Sequence, residues 1–256
     1  MWKIWILIVF SFCGLNSPIR AKQHKIIDQI RGQYYKCGSD CFFSLGQIQS
    51  KNRSKFYKDE ILELLPNAPN NFIRAELIEN LNLIPVNNCV LRGNRHYYLP
   101  ENQELLEKLR VKNIITMDAL VNKRHQKHNN SERVLIYLPV SPKKYPNAQS
   151  LNSIIKALDY LSQSTDTERA YISCFYGKHR TGLVIGLYQF VRNYIASPAL
   201  TCEKVATPKD EAFLQMNAIA DLGILTYDMP ADYLKFYRDF ALSVCQEQSQ
   251  EFVESL

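Results

Sequence analysis

Internal repeats and long low-complexity tracts are absent from this sequence. That excludes stacked-repeat architectures and leaves a chain that must close around a core of its own. No apolar run reaches the roughly 20 residues that a membrane-spanning helix needs. No Cys-x-x-Cys pair occurs, so a thioredoxin-type redox reading has little to stand on. Cys37 and Cys41 lie four apart, but no two further ligands stand nearby at matching spacing, so no metal site is expected there.

What is present fits a globular protein. The 256 residues and 29.7 kDa can hold one good-sized core, or one domain with a small appendage. Hydrophobic residues make up 46% and charged residues 22%, an ordinary balance that excludes neither class of soluble fold. A net charge of +6 admits acidic partners in general: phosphates, nucleic acid or an anionic membrane surface. Charge alone does not choose among them.

The N-terminus reads MWKIWILIVFSFCGLNSPIRAKQ. Lys3 precedes a short apolar core, and Asn16, Ser17, Pro18 and Ala21 follow. This is the layout of a secretory leader over residues 1–21, cut after Ala21. Export to the periplasm or exterior, with delivery into a host cell as one route, is the expectation. A leader that stays attached as a buried helix would instead leave the chain cytoplasmic. Removing Cys13 with the leader leaves six cysteines, of which Cys37 and Cys41 can close a short disulfide or remain thiols.

Residues 22–70 read as a helical extension, with Ile26, Ile27, Ile30 and Tyr34 at helical spacing and PNAPNN (66–71) as the seam. From about 71 to 250 the pattern alternates. Strands are expected at 89–92, 111–117, 134–140 and 170–174. Helices are expected at 100–109, 150–161, 181–195, near 208–222 and 230–246. Alternation of this kind calls for an α/β domain with a mainly parallel sheet flanked by helices.

The stretch SCFYGKHRTG (173–182) then stands out. Cys174 falls at the C-terminal end of an expected strand and Thr181 at the start of an expected apolar helix. Open α/β sheets bind ligands at this edge. A loop that wraps into a helix N-terminus points N–H groups inward, and the helix dipole favours an anion. Gly177 lets the backbone curl close to a ligand. Arg180 can hold two phosphate oxygens at once. The same positive surroundings favour the thiolate of Cys174. A nucleophile and an anion clamp in one loop suit displacement at a phosphate ester rather than nucleic-acid binding. The bland alternative is a buried strand-end cysteine beside a surface arginine.

This stretch resembles the active-site loop of the cysteine-dependent tyrosine and dual-specificity phosphatases: Cys, five residues, Arg, then Ser or Thr. The run GKHRTG is most similar to atypical dual-specificity phosphatases of plants and fungi, some of which act on inositol pyrophosphates. Secreted bacterial phosphatases share the layout. Weaker likeness extends to Leu91-Arg92-Gly93-Asn94 and to VKNIITMD (111–118), so residues 86–245 are covered. The resemblance implies a phosphatase-type sheet with Cys174 as nucleophile. It further implies Arg180 as phosphate clamp, Thr181 as hydrogen-bond donor to sulfur, and the amides of Phe175 to Arg180 as cradle. No cofactor is implied. The substrate would be a phosphoprotein or phosphotyrosine, or an inositol phosphate or phosphoinositide.

Two positions depart from the family pattern. Ser173 stands where His usually precedes the cysteine. The loop that usually supplies an acidic proton donor reads PVSPKKYPNAQS (139–150) and has no carboxylate. Asp118 is one replacement; substrates with good leaving groups are another. Lys143 and Lys144, with Lys178 and His179, could line a pocket for a substrate carrying several phosphates, or the first two could be a solvated pair. Phe175 and Tyr176 either wall the pocket or pack. Loss of the acid also admits a phosphate-binding pseudophosphatase that recognises a phosphorylated partner without turnover.

Overall fold

The computed structural model describes residues 83–118, 133–205 and 229–254, apart from 88 and 143, with a few positions between 207 and 216. The leader, the 22–70 extension, Cys37, Cys41 and Lys143 lie outside the described residues, as does most of 208–222.

Five strands form one sheet: β1 (Ile84–Pro85), β2 (Val90–Gly93), β3 (Val111–Thr116), β4 (Val134–Tyr137) and β5 (Arg169–Ser173). Their order is β1-β2-β5-β3-β4, with β1 antiparallel to β2 and the remaining pairs parallel. The helices are α1 (Pro100–Lys108), α2 (Ala148–Gln163), α3 (His179–Ala196), α4 (Pro198–Lys204) and α5 (Ala231–Glu254). The chain therefore adopts the mainly parallel α/β layout, flanked by helices, that its sequence led one to expect.

β5 is the central strand, and all five of its residues are buried. Its apolar run reflects a strand covered on both faces. α3, buried along residues 181–192, packs behind it with α5. Gly182 lets Met216 and Met229 pack closely on α3: a Cβ there would lie 2.5 Å from the Met216 carbonyl oxygen and 2.8 Å from Met229 Cε.

Boundaries move for local reasons. β4 ends at Tyr137 rather than Val140 because Pro139 has no N–H to extend the ladder. α2 starts at Ala148 because the Asn147 side chain accepts from the Ser150 amide, an N-cap. β1 and α4 were not anticipated: β1 has only two residues, and α4 is a seven-residue helix opened by Pro198 at its first turn.

A disulfide joins Cys202 on α4 to Cys245 on α5. Cys89 is also disulfide-bonded, and Cys174 is the free cysteine among the described residues.

Candidate active site

β5 delivers Cys174 to the C-terminal edge of the sheet, and the loop 174–178 carries the chain into α3. Parallel pairing sets the level of the neighbouring strands: Thr116 on β3 and Gly93 on β2 both stand opposite Ser173. The Met117 amide extends the pairing by donating to the Ser173 carbonyl (2.9 Å). Cys174 thus emerges between the ends of two strands and is 3% exposed.

Gly177 has φ of +71°. A Cβ there would sit 2.3 Å from the Gly93 carbonyl oxygen, so both the conformation and the space require glycine. The loop is thereby pressed onto the end of β2. Arg92, fully buried on β2, donates from Nη2 to the carbonyls of Gly177 (3.0 Å) and Lys178 (3.3 Å). Fixing those carbonyls on the β2 side leaves successive amides to face the opposite side, the curl that makes an anion nest.

α3 adds its own donors. Its N-cap, Lys178, makes no side-chain capping bond, and no acidic residue lies in the first turn. The first-turn amides are orphan donors at the positive end of an 18-residue helix. Arg180, half-buried, points its guanidinium back across the loop, where Nη1 donates to the Met117 carbonyl. The hydroxyls of Thr181 and Ser173 are buried without a hydrogen-bond partner among the described residues. A buried unpaired hydroxyl is costly, and a sulfur or phosphate oxygen nearby would relieve it.

A second layer starts at Asn94. Its side chain accepts from the His96 amide (2.8 Å), and its carbonyl accepts from the Tyr171 hydroxyl (2.8 Å). Burial holds that Tyr171 phenol well above the usual tyrosine range, so it remains a donor. The turn Arg95–Tyr98 is fixed by these bonds. Arg95 lays its guanidinium 3.6 Å from the centroid of the Phe175 ring and donates its amide to the Phe175 carbonyl (3.5 Å). Its Nη1 lies 3.6 Å from Asp118 Oδ2.

The sequence-derived residues separate into two groups. Cys174, Phe175, Tyr176, Gly177, Lys178, His179, Arg180 and Thr181 form one continuous loop and helix start. Phe175 and Tyr176 stack edge to face at 4.4 Å, with Tyr176 exposed at the rim. Lys178, in contrast, is 1% exposed, so its ammonium is drawn into the fold. Lys144 is exposed on a loop whose contacts run to α2 and α5. There the Tyr145 hydroxyl donates to Asp239 (3.0 Å), the Tyr145 amide to Asp232 (3.0 Å), and the Tyr233 hydroxyl to the Ser141 carbonyl (2.5 Å). Burial, then the Asp239 carboxylate, pushes the Tyr145 phenol up to about 12, which keeps it a donor at neutral pH.

Sequence reading missed the bracing roles of Arg92, Arg95 and Tyr171. One signal was present: an arginine at the end of the apolar run CVLRG demands a buried partner.

No protein-family model and no curated protein matches the chain. Among solved structures, partial matches are found. TpbA of P. aeruginosa, in complex with pTyr, gives a TM-score of 0.43 at 17% identity, covering 66% of this chain and 92% of its own. PTPMT1 gives 0.40 at 18% identity, covering 64% and 96%. PTPMT1 in complex with PI(5)P gives 0.37 at 17%, covering 63% and 96%. The functional reading below rests on the loop itself.

Proposed function

We propose that this chain is a cysteine-dependent phosphatase that hydrolyses phosphate monoesters through a phosphocysteine intermediate. One observation carries the proposal. Cys174, the free cysteine among the described residues, stands at a strand end and opens a loop curled by Gly177, braced by Arg92 and closed by Arg180 at an uncapped helix N-terminus.

In this reading the cradle amides and Arg180 bind the phosphate dianion and stabilise the charge on its equatorial oxygens. The Cys174 sulfur attacks phosphorus as its thiolate. Thr181 donates to the sulfur as it leaves in the second step. Phe175 and Tyr176 form one wall of the entrance. The substrate is a phosphotyrosine or phosphoprotein, or an inositol phosphate or phosphoinositide; Lys143 and Lys144 decide between them if they reach a second phosphate.

Two further points support an exported enzyme. Disulfides persist in oxidising compartments, and both Cys89 and the Cys202–Cys245 pair are bonded while Cys174 is free. The leader-like N-terminus agrees with this. N-terminal sequencing of the secreted protein tests it, an intact Met1 confined to the cytosol being the contrary result.

A binding-only reading has one observation in its favour: the loop 139–150 lacks a carboxylate and is held against α5. Turnover of an aryl phosphate beside a panel of inositol phosphates, for wild type and Cys174→Ser, separates the two. The enzyme reading expects hydrolysis by wild type, and by Cys174→Ser only binding. Tight phosphate-ester binding by wild type without hydrolysis would leave the binder.

A further inference from the structure

A phosphate monoester with an alcohol leaving group needs a proton donor, and the loop 139–150 offers none. We propose that Asp118, at the end of β3, is the general acid of this site. The inference rests on the phosphatase reading above and adds to it the source of the leaving-group proton.

Three observations put the carboxyl in place. The β3–β5 register sets Thr116 opposite Ser173, so the following residues, Met117 and Asp118, continue past Cys174 along the lip of the loop. Arg180 bonds to the carbonyl of Met117, the residue immediately before Asp118, so the phosphate clamp is anchored one peptide unit from the carboxyl's own backbone. Arg95, which pairs with Asp118 Oδ2 at 3.6 Å, also stacks on Phe175 and bonds to its carbonyl. Asp118 is therefore bracketed by both ends of the catalytic loop.

Five other described carboxylates have different surroundings. Asp166 and Glu168 precede β5, at the opposite edge of the sheet. Asp232 and Asp239 hold Tyr145, and Asp210 accepts from the Tyr237 hydroxyl at 2.8 Å. Asp118 differs from these in following β3 directly past Cys174 and in pairing with Arg95.

The chemistry balances in two steps. The Cys174 sulfur attacks phosphorus, the S–P bond forms as the P–O bond to the leaving group breaks, and the departing oxygen takes the proton from Asp118. The resulting carboxylate then takes a proton from the water that attacks the phosphocysteine. The S–P bond breaks, inorganic phosphate leaves and the thiolate is restored. Arg95 and the buried Tyr97 phenol face the carboxyl. A phosphate dianion arriving beside this group competes with the carboxyl for Arg95.

The test is the dependence of kcat/KM on leaving-group acidity, for wild type, Asp118→Asn and Asp118→Glu, on a series from nitrophenyl to alkyl phosphates. Asp118→Asn is expected to lose about 10²–10⁴-fold on the alkyl ester and far less on the nitrophenyl ester, steepening the dependence. It should also lose the alkaline limb of the pH profile, while Asp118→Glu keeps part of both. An equal loss on every ester, or none, would overturn the assignment and leave Asp118 as a brace for Arg95. Should Asp118→Asn not fold, a loss in Asp118→Glu that grows from the nitrophenyl to the alkyl ester supports the acid, and an equal loss on every ester overturns it. Wild type inactive on every ester removes the acid together with the phosphatase reading; Cys174-dependent turnover with a slope insensitive to Asp118 removes the acid alone.

Discussion

Gly177 shows how much a single residue constrains the loop. Its φ of +71° and its contact with Gly93 forbid any side chain without displacement of backbone. Gly177→Ala is expected to cost about 1–3 kcal/mol of stability through backbone strain. Because the cradle amides must shift, hydrolysis should fall well beyond what that loss of folded protein explains. Denaturant unfolding beside phosphatase assays on the folded fraction checks this; retention of both would mean the loop is softer than its geometry states. At this scale the sequence was informative where a residue type has one physical use. Cys174, Gly177, Arg180 and Thr181 could be read together because strand end, curl, fork and helix start each call for a particular chemistry. Arg95 could not, because its role depends on Phe175 and Asp118 meeting it from beyond the ends of two other strands.

Elements were legible wherever periodicity was long. β3, β5, α2 and α3 follow from long apolar runs, and for α2 the spacing also fixes the buried face. β1, with two residues, offers no period, and the Cys202–Cys245 pairing joins positions 43 apart that only the packing of α4 on α5 brings together. That pairing makes a prediction at the same scale. Closing a loop of this length stabilises by about 4 kcal/mol in the chain-entropy description. The variant Cys202→Ser with Cys245→Ser should therefore unfold at markedly lower denaturant while its aryl phosphatase activity, measured well below the midpoint, stays close to wild type. An unchanged midpoint would show that α4 and α5 hold together without the bond; loss of activity at full folding would show that α5, which carries the Tyr145 contacts, sets the active loop.

The whole molecule presents a net charge of +6, and its substrate class depends on how that charge is distributed. Lys178 is withdrawn into the fold, so attraction for a second phosphate falls to residues outside the loop, with Lys144 exposed and available. Replacing Lys143 and Lys144 together by Ala should raise KM for an inositol polyphosphate, more so at low salt, and leave a small aryl phosphate nearly unchanged. Equal effects on both would assign the lysines to loop structure, and no effect on either would favour a phosphotyrosine substrate. Beneath every substrate question lies the claim that Cys174 forms a covalent bond to phosphorus. Acid quench during turnover of an aryl phosphate, followed by peptide mass spectrometry, reads it directly. The account predicts one phosphoryl group on the Cys174 peptide of wild type and none on Cys174→Ser, which should not turn over. Steady hydrolysis by Cys174→Ser, or a phosphoryl group trapped on a different residue, would contradict it.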